Sequence, residues 1–207
     1  MKETKTNLEA PMGEDEMIVY FHGFNSSSES STCTALQNHF GKDKVVATCY
    51  DYINPVNAFA YLDGIIAPLM ATHTVLLVGT SLGGFWANHF AEKYRLHCAL
   101  VNPSLNPGVS LAQYLGENTN FHTGEKATLT TQHLEAYKQY IFGGTPLLHK
   151  SILLGSKDIV VDPIFTRQIM KNHYIVEAPN EGHQIQDKQL VIDLVERAWM
   201  GVRWGKG

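Results

Sequence analysis

Ser81 lies in Gly79-Thr80-Ser81-Leu82-Gly83-Gly84, directly after the apolar run Thr74-Val75-Leu76-Leu77-Val78. A serine with glycine two residues away on each side, between a buried strand and a helix, has the form of a nucleophile elbow. The turn is so sharp that positions 79 and 83 must be nearly free of side chain. It would hold the hydroxyl above the sheet edge, beside the amides that open the helix, where it could attack a carbonyl carbon. The pattern alone is weak: with glycine and serine each near 7%, chance supplies it in roughly several per cent of chains this long. Its meaning depends on the partners that the rest of the chain supplies.

Acyl transfer by a serine needs a base, an acid that orients the base, and donors for the oxyanion. The base expected here is His183, after the apolar run 174–177 and next to Gly182, because imidazole titrates near neutral pH. Ten histidines are present, and His39, His89, His97 and His133 fall on helical stretches or their ends, where structural roles suffice. The acid is Asp158 or Asp162. Asp162 precedes Pro163 and has the form of a helix N-cap followed by proline at the first helical position. Asp158 follows the run 151–154 directly, where no cap accounts for it, and it is the acid expected. The oxyanion donors expected are the backbone N–H groups of Leu82 and Phe24. His22 and Asn25, in His22-Gly23-Phe24-Asn25-Ser26-Ser27, are candidates for contact with substrate, although bracing and turn chemistry also account for them.

These residues must be carried by a scaffold, and the chain describes one. Six short runs read as strands: 17–21, 45–49, 74–78, 98–102, 151–154 and 174–177. Most are rich in Val, Ile and Leu without alternation, as expected of strands buried on both faces of a parallel sheet. Helical stretches near 29–40, 56–70, 83–95, 130–141, 163–172 and 187–200 lie between or after them. Strand and helix alternate, which predicts a doubly wound α/β fold. Ligands of such sheets bind beyond the carboxyl ends of the strands, and the serine, both aspartates, His183 and the His22 loop all follow strands. Residues 1–16 are polar and aperiodic and read as a mobile tail, with 17–207 as a single domain. The connection 103–150 is long enough to be a lid or a pocket wall. The stretch Trp199-Met200-Gly201-Val202-Arg203-Trp204 would cover the core or a partner subunit; oligomeric state is left open.

Composition narrows the function classes. Hydrophobic content of 44%, charged content of 17% and a net charge of -4 describe a globular chain without the basic surface of a nucleic-acid binder. No apolar run approaches the roughly 20 residues of a membrane span, and the N-terminus lacks the apolar core of a signal peptide. The three scattered cysteines do not form a disulfide framework, and a reducing cytoplasm is the expected setting. No phosphate-binding loop, dinucleotide fingerprint or metal-ligand spacing is found, so neither cofactor nor metal is expected.

Together the blocks His22–Ser27, Gly79–Gly84, Val101-Asn102-Pro103, Tyr114–Asn118 with Thr123-Gly124, Lys157–Asp162 and Gly182-His183 resemble the YqiA-like family of small bacterial esterases in the α/β-hydrolase superfamily. The resemblance runs from about residue 17 to the C-terminus. It implies hydrolysis of a small-molecule ester or thioester, with Ser81, Asp158 and His183 matching the family's serine, acid and histidine. Both aspartates match, so it does not decide between them. The chain departs from the family in its polar extension and in Asn180-Glu181, where a glycine pair is more usual. The expectation is a serine esterase working through an acyl-enzyme. An acyl-CoA thioesterase, a C–C bond hydrolase with the same triad, and a non-catalytic binding module on the scaffold are the alternatives.

Overall fold

The structure, a computed structural model, describes residues 12–142, 148 and 150–204, the last by its backbone. Six strands, β1 (Glu16–Phe21), β2 (Val45–Ala47), β3 (Thr74–Thr80), β4 (Cys98–Val101), β7 (Ser151–Gly155) and β8 (Tyr174–Ala178), form one sheet in the order β2-β1-β3-β4-β7-β8. Every pairing in it is parallel. Between β4 and β7, β5 (Gly116–Thr119) and β6 (Lys126–Leu129) make a separate antiparallel hairpin.

The continuous apolar character of the central strands has a simple cause. Side chains alternate between faces, and both faces are covered. Val19, Phe21, Val75, Leu77, Leu100, Ile152 and Leu154 enter one core with α2 (Pro55–Leu69) and α3 (Leu82–Tyr94). Their neighbours Ile18, Tyr20, Leu76, Val78, Ala99, Val101 and Leu153 enter the other, under α1 (Ser31–Phe40) and α7 (Lys188–Trp204). Polar choices end the helices: Ser30 caps α1, and Asn54 caps α2 ahead of Pro55.

The chain runs outward from β1 to β2, then returns past β1 to lay down β3. The strand order therefore reverses between β1 and β3, which puts the binding crevice of this fold between the loops that follow those two strands. Ser81 and the His22–Ser27 segment occupy those loops.

Two features differ from the sequence reading. Of the predicted tail, residues 1–11 lie outside the described residues, but 12–16 are tied to the domain. Glu16 begins β1 and pairs with Arg203 at 2.7 Å, Thr74 N–H donates to the Asp15 carbonyl at 2.7 Å, and Lys44 donates to the Gly13 and Glu14 carbonyls. The β5–β6 hairpin was not foreseen either. Its strands are short and, apart from buried Leu129, exposed or half-exposed, so no apolar run marks them. The rest of the 103–150 connection contains α4 (Pro107–Ser110) and α5 (Thr131–Ala136), the latter continued by a tight turn to Tyr140; residues 143–147 and 149 lie outside the described residues. In the C-terminal aromatic stretch Trp199 and Val202 are buried in the second core. Among the described residues no helix is long and apolar enough to cross a membrane.

Candidate active site

Ser81 sits between β3 and α3 with φ 55° and ψ -117°, in the left-handed region that a serine enters only when its surroundings force it. The flanking glycines permit this turn. A Cβ on Gly79 would stand 2.1 Å from the Gly83 carbonyl oxygen, and one on Gly83 would stand 2.0 Å from the Phe21 carbonyl oxygen. Both are hard clashes with backbone. They explain why the helix can start directly against the end of β1.

His183, in the loop after β8, reaches Ser81: its Nε2 is 2.9 Å from Ser81 Oγ. Its Nδ1 is 2.8 Å from Asp158 Oδ2. The other oxygen of Asp158 accepts the N–H groups of Val160 at 2.8 Å and Val161 at 3.0 Å, which fixes the carboxylate in its loop. The Asp158 side chain is 1% exposed and the imidazole 21%, so the acid is sealed and the base is open to a ligand. Asp162 does otherwise. Its Oδ1 accepts from Ile164 and Phe165 N–H at 2.8 and 3.3 Å, capping α6 (Pro163–Ile169). The structure thus joins Ser81, His183 and Asp158 in one hydrogen-bonded line and leaves Asp162 with the helix.

Leu82 opens α3, so its N–H belongs to the first turn, where no helical carbonyl is available to it. Gly23 packs against the serine: a Cβ there would lie 3.4 Å from Ser81 Cβ and 3.9 Å from Oγ. The Gly23–Phe24 peptide therefore runs beside the hydroxyl. A cavity of about 490 Å³ opens in front of it, lined by Gly23, Phe24, Asn25 and Ser81, by Ser110, Leu111, Tyr114 and Phe121 from the long connection, and by Val161 and His183. Part of residues 103–150 is thus a wall of this cavity.

Asn25 lines the cavity, at φ 54°. Its Nδ2 donates to Asn118 Oδ1 at 3.4 Å, and its own Oδ1 is buried without a protein partner among the described residues. His22, expected on the substrate side, does not line the cavity, and that expectation is corrected. Its ring stacks on Tyr50 with centroids 4.6 Å apart, its Nδ1–H donates to the Gly23 carbonyl at 2.8 Å, and Tyr50 O–H donates to its carbonyl at 2.6 Å. Burial lowers its pKa from 6.5 to about 4. The folded protein thus keeps this ring neutral at pH values where the unfolded chain protonates it. Stability is then complete above pH 6.5 and falls between pH 6.5 and 4, by up to ~3 kcal/mol from this group. Denaturant unfolding of the parent and of His22→Gln across that range should show a smaller loss in the variant; equal losses would remove His22 as the cause.

Sequence reasoning missed the role of Asn102. It ends the apolar run of β4, is buried, and adopts φ 42°, which asparagine tolerates better than most residues. Its Nδ2 donates to the carbonyls of Gly182 at 3.0 Å and His183 at 2.9 Å, and its Oδ1 accepts Gly155 N–H at 2.8 Å. One amide therefore pins the histidine loop to the start of the acid loop. A polar residue closing a buried strand just before proline was the available signal. Asn102→Gly keeps the backbone conformation accessible and deletes the amide. We expect any turnover that depends on the Ser81–His183 contact to fall about 10- to 100-fold in kcat with KM nearly constant, because His183 loses its position rather than the cavity its shape. An unchanged kcat would remove Asn102 as a positioning residue.

The fold is that of the α/β-hydrolases. Est1E from Butyrivibrio proteoclasticus superposes with a TM-score of 0.71 at 16% identity, over 90% of this chain and 88% of that one. The mouse alpha/beta hydrolase domain-containing protein 10 gives 0.68 at 15% identity over 92% of each chain. The esterase domain of a Rhodothermus marinus protein gives 0.66 at 14% identity over 93% and 90%. In sequence the chain is 24% identical over 174 residues to a UPF0227 protein of Vibrio parahaemolyticus, spanning 82% of this chain and 92% of that one. A UPF0227 protein of Pectobacterium carotovorum is 32% identical over 95 residues, 44% of this chain and 52% of that one. The model of the family described as "Uncharacterised protein family (UPF0227)" matches residues 17–188, and the chain belongs to that family.

Proposed function

We propose that the protein is a serine hydrolase that cleaves carboxylic esters or thioesters through an acyl-enzyme on Ser81. The observation that carries this reading is the line Ser81 Oγ, His183 Nε2, His183 Nδ1, Asp158 Oδ2, with contacts of 2.9 and 2.8 Å, at the wall of a ligand-sized cavity. Asp158 holds the Nδ1–H tautomer, which leaves Nε2 free to accept the serine proton. As Oγ attacks the substrate carbonyl, that proton passes to Nε2 and the carbonyl oxygen takes the negative charge. The N–H groups of Leu82 and Phe24 receive this oxyanion. Collapse of the intermediate breaks the bond to the leaving group, which takes the proton from Nε2. Water, deprotonated by the same nitrogen, then releases the acid and restores the serine.

A fluorophosphonate probe tests the nucleophile directly. The expected result is one adduct, found by peptide mass spectrometry on Ser81, with parallel loss of p-nitrophenyl butyrate hydrolysis. Folded protein that forms no adduct would overturn the reading and favour a binding role on this scaffold. Turnover of acyl-CoA, short esters and a β-diketone at equal concentration then separates thioesterase, esterase and C–C hydrolase activity.

A further inference from the structure

The cavity has two unlike kinds of lining. Phe24, Leu111, Tyr114 and Phe121 make one of them apolar, with the Phe24 and Tyr114 rings 5.3 Å apart. The rest of the lining is largely polar and includes Ser26, Ser31 and, from the chain just after the histidine, Gln184 and Lys188. Among the described residues lining the cavity, Lys188 is the one lysine or arginine, and no aspartate or glutamate lines it. Its Nζ donates to the Ile185 carbonyl, which uses one of three donors, and no carboxylate is within ion-pair distance of it among the described residues. Glu181, the acid nearest in charge effect, has its oxygens taken by the N–H groups of Gln186 and Asp187. Lys188 is also badly placed for its own helix. It is the first residue of α7, where the helix dipole disfavours a cation. A residue that breaks a local rule at the wall of a binding cavity invites a functional explanation.

The chemistry proposed above gives the two kinds of lining different roles. His183 must hand its proton to the departing atom, so the leaving group lies on the imidazole's side. Gln184, Ile185 and Lys188 follow His183 directly in the chain and line the same cavity, so the leaving group is assigned to them and the acyl chain to the aromatic lining. Resting on the hydrolase reading, we propose that Lys188 makes the enzyme selective for esters or thioesters whose leaving group carries an anionic group, carboxylate or phosphate, paired with an apolar acyl chain.

The test uses three butyrate esters with one acyl chain: those of 4-hydroxybenzoate, of its neutral amide, and of 4-hydroxyphenyl phosphate. The readout is the ratio of kcat/KM for an anionic ester to that for the neutral one, so losses common to all esters cancel. The native protein should favour at least one anionic ester by about tenfold, the size of one charge-assisted hydrogen bond. Lys188→Met should bring that ratio to near one, Lys188→Arg should keep most of it, and raising salt should shrink it in the native protein. Which anion gains more identifies carboxylate or phosphate. A native ratio of one, or a ratio unchanged in Lys188→Met, would overturn the inference while the neutral ester's turnover leaves the hydrolase reading standing. Turnover of none of the three by folded protein would overturn both.

Discussion

Ser81→Ala is expected to abolish fluorophosphonate labelling and to lower kcat for p-nitrophenyl butyrate by about 10⁴- to 10⁶-fold, with little change in Tm. The size follows from how the group acts. The hydroxyl, the imidazole and the carboxylate work as one unit, so removing the atom that forms the covalent bond discards what the other two contribute. What survives is the cavity and the oxyanion donors, which water attacking directly could still use. The fold should tolerate the change, because the Cβ that defines the elbow remains and only Oγ, with its 2.9 Å contact to His183, is lost. The two clashes that fix the turn involve Gly79 and Gly83, not the serine side chain. Hydrolysis within tenfold of the parent, in protein with the parent's unfolding curve, would show that Ser81 is not the nucleophile.

The sequence made the scaffold readable for a physical reason. Each central strand is buried on both faces, so Val75–Val78 must be apolar at every position, and the α/β alternation follows from the length of the runs between. The elbow was legible because steric exclusion at residues 79 and 83 leaves a trace in residue type. Polar scaffolding leaves none. The β5–β6 hairpin sends only Leu129, with Ala127 beside it, toward the core, and polar contacts tie down its turn: Asn120 donates to the Ser26 carbonyl at 2.9 Å and accepts from His122 and Thr123 N–H, and Phe121 N–H donates to the Asn25 carbonyl. The contacts to Ser26 and Asn25 reach far along the chain, 94 residues in the case of Asn120 and Ser26, which no local periodicity encodes. The same holds for Asn102, whose partners lie 53 to 81 residues away, and for His22, whose character is set by the Tyr50 ring beneath it.

The two aspartates, equal in the family resemblance, should separate sharply on substitution. In Asp158→Asn the side-chain oxygen must stay with Val160 and Val161 N–H, since an amide NH₂ turned toward those donors would be repelled. That orients the NH₂ toward His183 Nδ1. The imidazole then accepts on Nδ1 and carries its proton on Nε2, the nitrogen that faces Ser81 Oγ. A protonated Nε2 cannot take the serine proton, so kcat should fall about 10⁴-fold with the fold intact. Asp162→Asn should be nearly silent, because asparagine caps a helix as well as aspartate does; Asp162→Ala should lower stability by about 1 kcal/mol and leave kcat close to the parent's. Steady-state kinetics on the three variants, alongside their unfolding curves, distinguish tautomer control from helix capping. If Asp162→Asn lost turnover and Asp158→Asn retained it, the loop after β7 would have to rearrange in solution so that Asp162 meets the imidazole.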